Sequence, residues 1–175
     1  MGYGSSSNNR LVKSVEKYSF KENTWQHVAD MHHCNHGFCA SAFIDQIFVF
    51  SSYFGSSCIK FNTKNNKWKI RTSMNDARWD AACTVFQGRV AVSGGFNFNN
   101  QHGLNTVGAY DHVADAWSYL PNMIHRRRNH GCTAVNRRGG SGSQFQLCSC
   151  AQHGFLNKIE TTNPSSYNVE NFFSY

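Results

Sequence analysis

Charge, proline and long apolar runs are all scarce in this sequence. Only 15% of the 175 residues are charged and two are proline. Apolar residues show no helical period over any long window, which argues against a helical bundle. No stretch approaches the roughly 18 consecutive apolar residues of a membrane span. The opening Met1-Gly2-Tyr3-Gly4-Ser5 lacks the apolar core of a secretory signal, so the expectation is a soluble, cytoplasmic chain with no membrane partner. The seven cysteines (Cys34, Cys39, Cys58, Cys83, Cys132, Cys148, Cys150) are odd in number and contain no C-x-x-C pair. That argues against a disulfide framework or a standard zinc site and for free buried thiols. What the chain has is 14% aromatic residues and abundant Asn and Ser, the composition of short strands joined by turns. Its length suits one folding unit.

A repeat organises those aromatics. Trp25, Trp68 and Trp117 are each followed six residues later by methionine (Met31, Met74, Met123) and preceded by seven by another aromatic (Tyr18, Phe61, Tyr110). Small residues follow in register at Ala40-Ser41-Ala42, Cys83-Thr84-Val85 and Cys132-Thr133-Ala134. The apolar runs Ile47-Phe48-Val49-Phe50 and Val90-Ala91-Val92 then lead into Ser51-Ser52 and Gly94-Gly95. The tryptophan spacings of 43 and 49 fit repeat units of four short strands. All the extra length lies between Phe96 and Thr106, which predicts a surface loop, since strands cannot absorb insertions without breaking their ladders.

These stretches, Val15 to Met31, Cys58 to Met74 with Asn75-Asp76-Ala77-Arg78, and Gly94-Gly95 through Tyr110-Asp111 to Met123, resemble the kelch repeat, in particular that of metazoan BTB-kelch proteins. The resemblance implies an all-β fold, a partial propeller of four-stranded antiparallel blades. Residues 1–31 would be a partial blade, 32–74 and 75–123 two complete ones, and 124–135 the start of another. Physical arguments agree. Small residues suit an innermost strand crowded near the axis. The double glycine Gly94-Gly95 permits a tight turn, and Tyr18, Trp25, Phe61, Trp68, Tyr110 and Trp117 supply apolar area between blades. Trp25, Trp68 and Trp117 are therefore expected to be largely buried, and Trp79, which stands outside the frame, more exposed.

Two departures stand out. Ser51-Ser52 replaces the double glycine, which is expected to strain that turn. After Val135 the frame calls for an apolar strand at about 139–142, where the residues are Gly139-Gly140-Ser141-Gly142. Residues 136–175 are therefore expected to form an irregular tail, apolar enough for short strands but outside the repeat. The unclosed array is expected to be marginally stable and prone to associate.

The segment His32-His33-Cys34-Asn35-His36-Gly37-Phe38-Cys39 carries potential metal ligands, but alternation along a strand would separate them, so no metal or other cofactor is expected. No nucleophile signature accompanies Cys39 or Cys83, so no enzymatic activity is expected. The net charge of +7 and the run Arg126-Arg127-Arg128 come without a nucleic-acid motif, so no nucleic-acid partner is expected. The resemblance instead implies a protein partner held by the loops joining blades. Its matched positions are Asn35, His36, Arg78, Trp79, Asp80, Arg127, Arg128 and Asn129, with Tyr53 and Phe96 after the paired position. Phe96 and Phe98 are further singled out because apolar area is costly in a surface loop. The resemblance also implies the substrate-recognition part of a cullin-RING ubiquitin ligase, with cullin contacted through a BTB domain outside this chain. The alternative is an actin-binding or scaffold role.

Overall fold

The structure is a computed structural model that describes residues 12–33, 37–51, 55–136, 143–148 and 159–161, with side chains as far as residue 134. Every regular element among them is a strand, and none is a helix that could cross a membrane. β1 (Val15–Ser19) and β2 (Thr24–Val28) form a hairpin. β3 (Cys39–Phe43), β4 (Gln46–Ser51), β5 (Ser57–Asn62) and β6 (Lys67–Arg71) make a four-stranded antiparallel meander. β7 (Ala82–Phe86), β8 (Arg89–Ser93), β11 (Val107–Asp111) and β12 (Ala116–Leu120) make a second. Between β8 and β11 the short β9 (Phe96–Asn97) and β10 (His102–Gly103) pair with each other, so the inserted loop is itself a hairpin. The innermost strands β3 and β7 lie side by side, and β7 in turn adjoins β13 (Gly131–Asn136). Two complete blades thus stand between a half-blade and a third sheet, in a partial propeller.

Beyond residue 135 the described residues include short strands, as the apolar content of that segment allows. β13 pairs with β14 (Ser143–Cys148), and β14 with β15 (Ile159–Thr161). Ser143-Gln144-Phe145-Gln146-Leu147-Cys148 alternates polar and apolar residues, a two-residue period that suffices for a strand without the frame of the earlier repeats. The strand expected at about 139–142 is simply delayed.

The core lies between blades. Phe48, Phe50 and Cys58 of the first complete blade pack with Val90, Val92 and Tyr110 of the second, and Met74 from the connection completes the cluster. Phe48 meets the Tyr110 ring edge-on at 5.7 Å, and Phe50 meets Trp117 at 5.4 Å. Middle strands are covered on both faces, which is why their sequences read as continuous apolar runs. Ala40 and Ala42, by contrast, are exposed along the inner strand.

A clamp recurs at both junctions of the first complete blade. Trp68 Nε1 donates to the Ala29 carbonyl at 2.7 Å while the Ala29 amide donates to Asn66 Oδ1 at 2.9 Å. One blade on, Trp117 Nε1 donates to the Thr72 carbonyl at 2.9 Å, and the Thr72 amide donates to Asp115 Oδ1 at 3.1 Å. Ala29 and Thr72 each stand four residues past a repeat tryptophan. Asn66 and Asp115 have φ of 54° and 53°, a left-handed conformation that Asn and Asp tolerate because their side chains bond locally. Tryptophan is therefore used for its donor as much as for its area.

The clamp also explains where the burial expectation fails. Trp68 and Trp117 are half-buried rather than largely buried, since their indoles lie along the outer edge between blades. Trp25 is 67% exposed because no described residue of a neighbouring blade covers it. Trp79, expected to be the most exposed of the four, is half-buried and so better covered than Trp25. Replacing Trp68 by phenylalanine should cost about 1–2 kcal/mol, the loss of one bond to a part-buried carbonyl plus some area, whereas Trp25→Phe should cost less than about 0.5 kcal/mol. Urea unfolding of the two variants checks this, and equal losses would contradict the clamp.

The strain expected at Ser51-Ser52 falls partly on Ser52, which lies outside the described residues. Ser51 itself continues β4, pairing with Ser57, and Gly55 has a positive φ of 94°. Ser57 Oγ also donates to the Ser51 carbonyl at 3.2 Å.

Candidate partner-binding face

The insertion hairpin stands on a buried arginine. Arg78 is 2% exposed, and its Nη1 donates to the carbonyls of Gly94 (2.7 Å) and Thr106 (2.8 Å), the two ends of the insertion. Its Nη2 donates to Asp76 Oδ2 and to Thr106 Oγ1, both at 2.7 Å. The Thr106 hydroxyl donates in turn to Asp76 at 2.9 Å, so every member of the network is satisfied. Burial pulls the guanidinium pKa below its usual value while the Asp76 charge pushes it up. A planar fork that meets two carbonyls and a carboxylate at once is a task lysine cannot perform.

Backbone bonds carry this rigidity around the inner face. The Asp80 amide donates to the Gly37 carbonyl, and the Asn129 amide donates to the Asp80 carbonyl, each at 2.9 Å. Gly37, Asp80 and Asn129 stand six residues past Met31, Met74 and Met123, with φ of 61°, 53° and 53°. Gly, Asp and Asn are the residue types most tolerant of that conformation, a periodic signal that the tryptophan frame alone does not reveal. Gly37 has a second reason to lack a side chain, since a Cβ there would lie 2.0 Å from Trp79 Nε1.

On this base three separate stretches meet. Trp79 and Phe96 exchange backbone bonds of 2.9 and 2.7 Å as an isolated antiparallel bridge. Phe98 packs on Trp79 with ring centroids 5.4 Å apart and on Phe96 edge-on at 5.1 Å, yet remains 56% exposed. Arg128 lies over Phe96 with its guanidinium carbon 5.0 Å from the ring centroid. The intervening Arg127 is tied down by its backbone, donating to the Leu104 carbonyl at 3.0 Å and accepting from the Gly95 amide at 2.8 Å. The result is an aromatic patch capped by a cation, on rigid supports.

The expected contact residues therefore divide. Trp79, Phe96, Phe98 and Arg128 come together. Arg78 and Asp80 are buried and leave the candidate set, because the expectation equated a loop position with solvent exposure while both support the loop from within. Arg127 and Asn129 are half-buried and serve chiefly through their backbones. Asn35, His36 and Tyr53 lie outside the described residues.

Other chemistry nearby is structural. His130 is 8% exposed, and its Nε2 lies 3.0 Å from Ser93 Oγ, which is itself wholly buried and faces the Ala82 carbonyl at 3.4 Å. Burial, with the Arg127 charge, pulls the imidazole pKa down to about 4, so the ring is neutral near pH 7. A serine without access to solvent has no substrate to attack. Cys39, Cys58, Cys83 and Cys132 are free, and only Cys58 is fully buried, so the thiols are less enclosed than the sequence suggests. Desolvation pushes the Cys58 thiol up, and a hydrogen bond with Cys39 together with burial does the same for Cys83, which leaves both protonated and unreactive. Among the described residues no three His, Cys, Asp or Glu side chains gather to hold a metal; Cys34 and His36 lie outside them.

Sequential four-stranded meanders, joined by inner-strand neighbours and outer tryptophan clamps, define the blades of a kelch-type β-propeller. A family model described as the Kelch motif matches residues 2–32 and 78–124. Kelch-like protein 23 of Homo sapiens is 23% identical over 123 residues, covering 69% of this chain and 22% of that protein. An F-box/kelch-repeat protein of Arabidopsis thaliana is 36% identical over 108 residues, covering 61% of this chain and 26% of that one. The solved structure of YjhT superposes with a TM-score of 0.57 at 16% identity, over 69% of this chain and 36% of that one, a likeness of fold. The chain is thus a kelch-repeat protein, similar to the kelch-like proteins and spanning about a quarter of the length of these curated relatives. Kelch repeats make it a protein-interaction module.

Proposed function

We propose that the chain is the target-holding part of a BTB-kelch adaptor of a cullin-RING ubiquitin ligase, and that it holds its target on the face formed by Trp79, Phe96, Phe98 and Arg128. The observation that carries the site is the exposed Phe98, fixed by two ring contacts above a network-locked hairpin. Rigid aromatic and arginine side chains give large contact area at little entropic cost, the usual makeup of interface anchors. The likeness to kelch-like relatives supports the adaptor reading, with the BTB domain and the cullin contact outside this chain.

Phe98→Ala should weaken the target about ten-fold, roughly 1.4 kcal/mol, while leaving the melting midpoint close to that of the parent. Titration calorimetry beside a thermal melt reads both. A loss of stability with unchanged affinity would show the ring to be only a cover for the blade edge. The adaptor role is checked by co-purification of the full-length gene product with a cullin and by accumulation of the target on depletion. Co-sedimentation with actin filaments in place of both would favour the scaffold reading.

A further inference from the structure

The charge around the aromatic patch is unbalanced in one direction. Arg126 and Arg128 are both exposed, and among the described residues neither is paired with a carboxylate. They flank the same short strand pair. Arg128 covers Phe96, and the Arg126 Cβ lies 3.5 Å from where a Cβ on Gly103, the register partner of Phe96, would sit. The two carboxylates that flank Trp79 in sequence are spent internally, with Asp76 bound by Arg78 and Thr106 and Asp80 buried. Elsewhere arginines are matched, Arg71 with Asp115 at 3.0 Å and Arg89 with Asp111 at 3.7 Å.

From this we infer that the face takes an acidic, extended protein segment, with an apolar residue seated against Trp79 and Phe98 and carboxylates meeting Arg126 and Arg128. The inference rests on the proposed binding role of the face and adds the chemistry of the partner. An interface charge without a complement on its own surface favours an oppositely charged partner and penalises a like-charged one. Arg126 and Arg128 immediately precede and follow Arg127, whose backbone is held at both its amide and its carbonyl, so their attachment points are set rather than diffuse. A nucleic acid would be tracked by a longer run of free cations along a groove, whereas here two cations rim one aromatic patch.

The test is fluorescence anisotropy of the full chain with a labelled heptapeptide of Glu and Asp around a central Leu. Its Gln/Asn counterpart, its all-Lys counterpart and a labelled oligouridylate serve as comparisons. The acidic peptide should bind about ten-fold or more tighter than the Gln/Asn peptide, and Arg126→Glu with Arg128→Glu should remove that advantage. A charge-matched change far from the face, Lys67→Glu with Lys69→Glu, should leave it intact. Melts within a few degrees of the parent would show that both variants fold; if the Glu pair did not, Arg126→Gln with Arg128→Gln would replace it. Equal binding of the neutral peptide, equal loss in both double variants, or tighter binding of oligouridylate would each overturn the inference. Unbiased peptide display that yields neutral ligands still lost on Phe98→Ala would overturn the acidic preference alone and leave the proposed function standing.

Discussion

Replacing Arg78 by methionine should destabilise the chain by about 3–5 kcal/mol, more than the loss of any exposed cation, and should loosen the insertion hairpin at the same time. Methionine fills much of the same volume, so the loss is electrostatic. The Gly94 carbonyl loses the Arg78 donor, the Thr106 carbonyl is left with the Gly94 amide at 3.0 Å, and Asp76 loses its cation while keeping the Thr106 hydroxyl and Tyr119. An orphaned buried acceptor costs about 1–3 kcal/mol, and breaking a buried ion pair by removing one partner about 3–5 kcal/mol. Arg78→Lys should recover only part of this, since an ammonium cannot reach four acceptors in one plane. Urea unfolding followed by tryptophan fluorescence measures the loss. A change below about 1 kcal/mol would mean that the network is dispensable.

Gly94→Ala should be nearly as harmful, by about 3 kcal/mol or more, and for two separable reasons. Its φ of 58° disfavours any side chain, and an added Cβ would lie 2.4 Å from the Arg127 carbonyl oxygen, which cannot retreat because the Gly95 amide holds it at 2.8 Å. Gly88 supplies the control, with a φ of 72° and open space around it. Gly88→Ala should therefore cost only the conformational part, about 1 kcal/mol. Equal losses at the two sites would show that the close approach at Gly94 relaxes freely.

The two variants probe the part of the site that was hardest to read in the sequence. The blades were legible because Trp25, Trp68 and Trp117 keep a constant offset to methionine and to a preceding aromatic, and a repeated offset reports a repeated packing. Phe96 and Phe98 were legible as well, being apolar residues in an inserted stretch. Arg78 was not. Sequence assigns it correctly to a loop, but nothing local reveals that its guanidinium reaches carbonyls 16 and 28 residues away, a purely tertiary arrangement. Trp79 shows the opposite error, since a residue outside the frame is expected to be more exposed than the repeat tryptophans and instead lies over Gly37 and against Phe98, better covered than Trp25. Trp25 obeys the frame and is exposed nonetheless, because a repeat specifies which face is sticky and only the neighbour decides whether it is covered.

The blade clamp sets an order of strength among the seams of the array. The two clamped joints grip the residue four past a tryptophan by both its amide and its carbonyl, and the position reads Ala29, Thr72 and, after Trp117, Pro121. Proline has no amide hydrogen to give. The third position therefore offers no amide, and no tryptophan follows Trp117 in this sequence to donate to its carbonyl, so the two-pronged clamp of the earlier joints is not repeated there. In a fold whose cohesion is a sum of nearest-neighbour terms, the weakest term decides where the array parts first. The rim formed by Arg126 and Arg128 begins five residues beyond that seam, which places the loop proposed to meet a partner beside the unclamped joint.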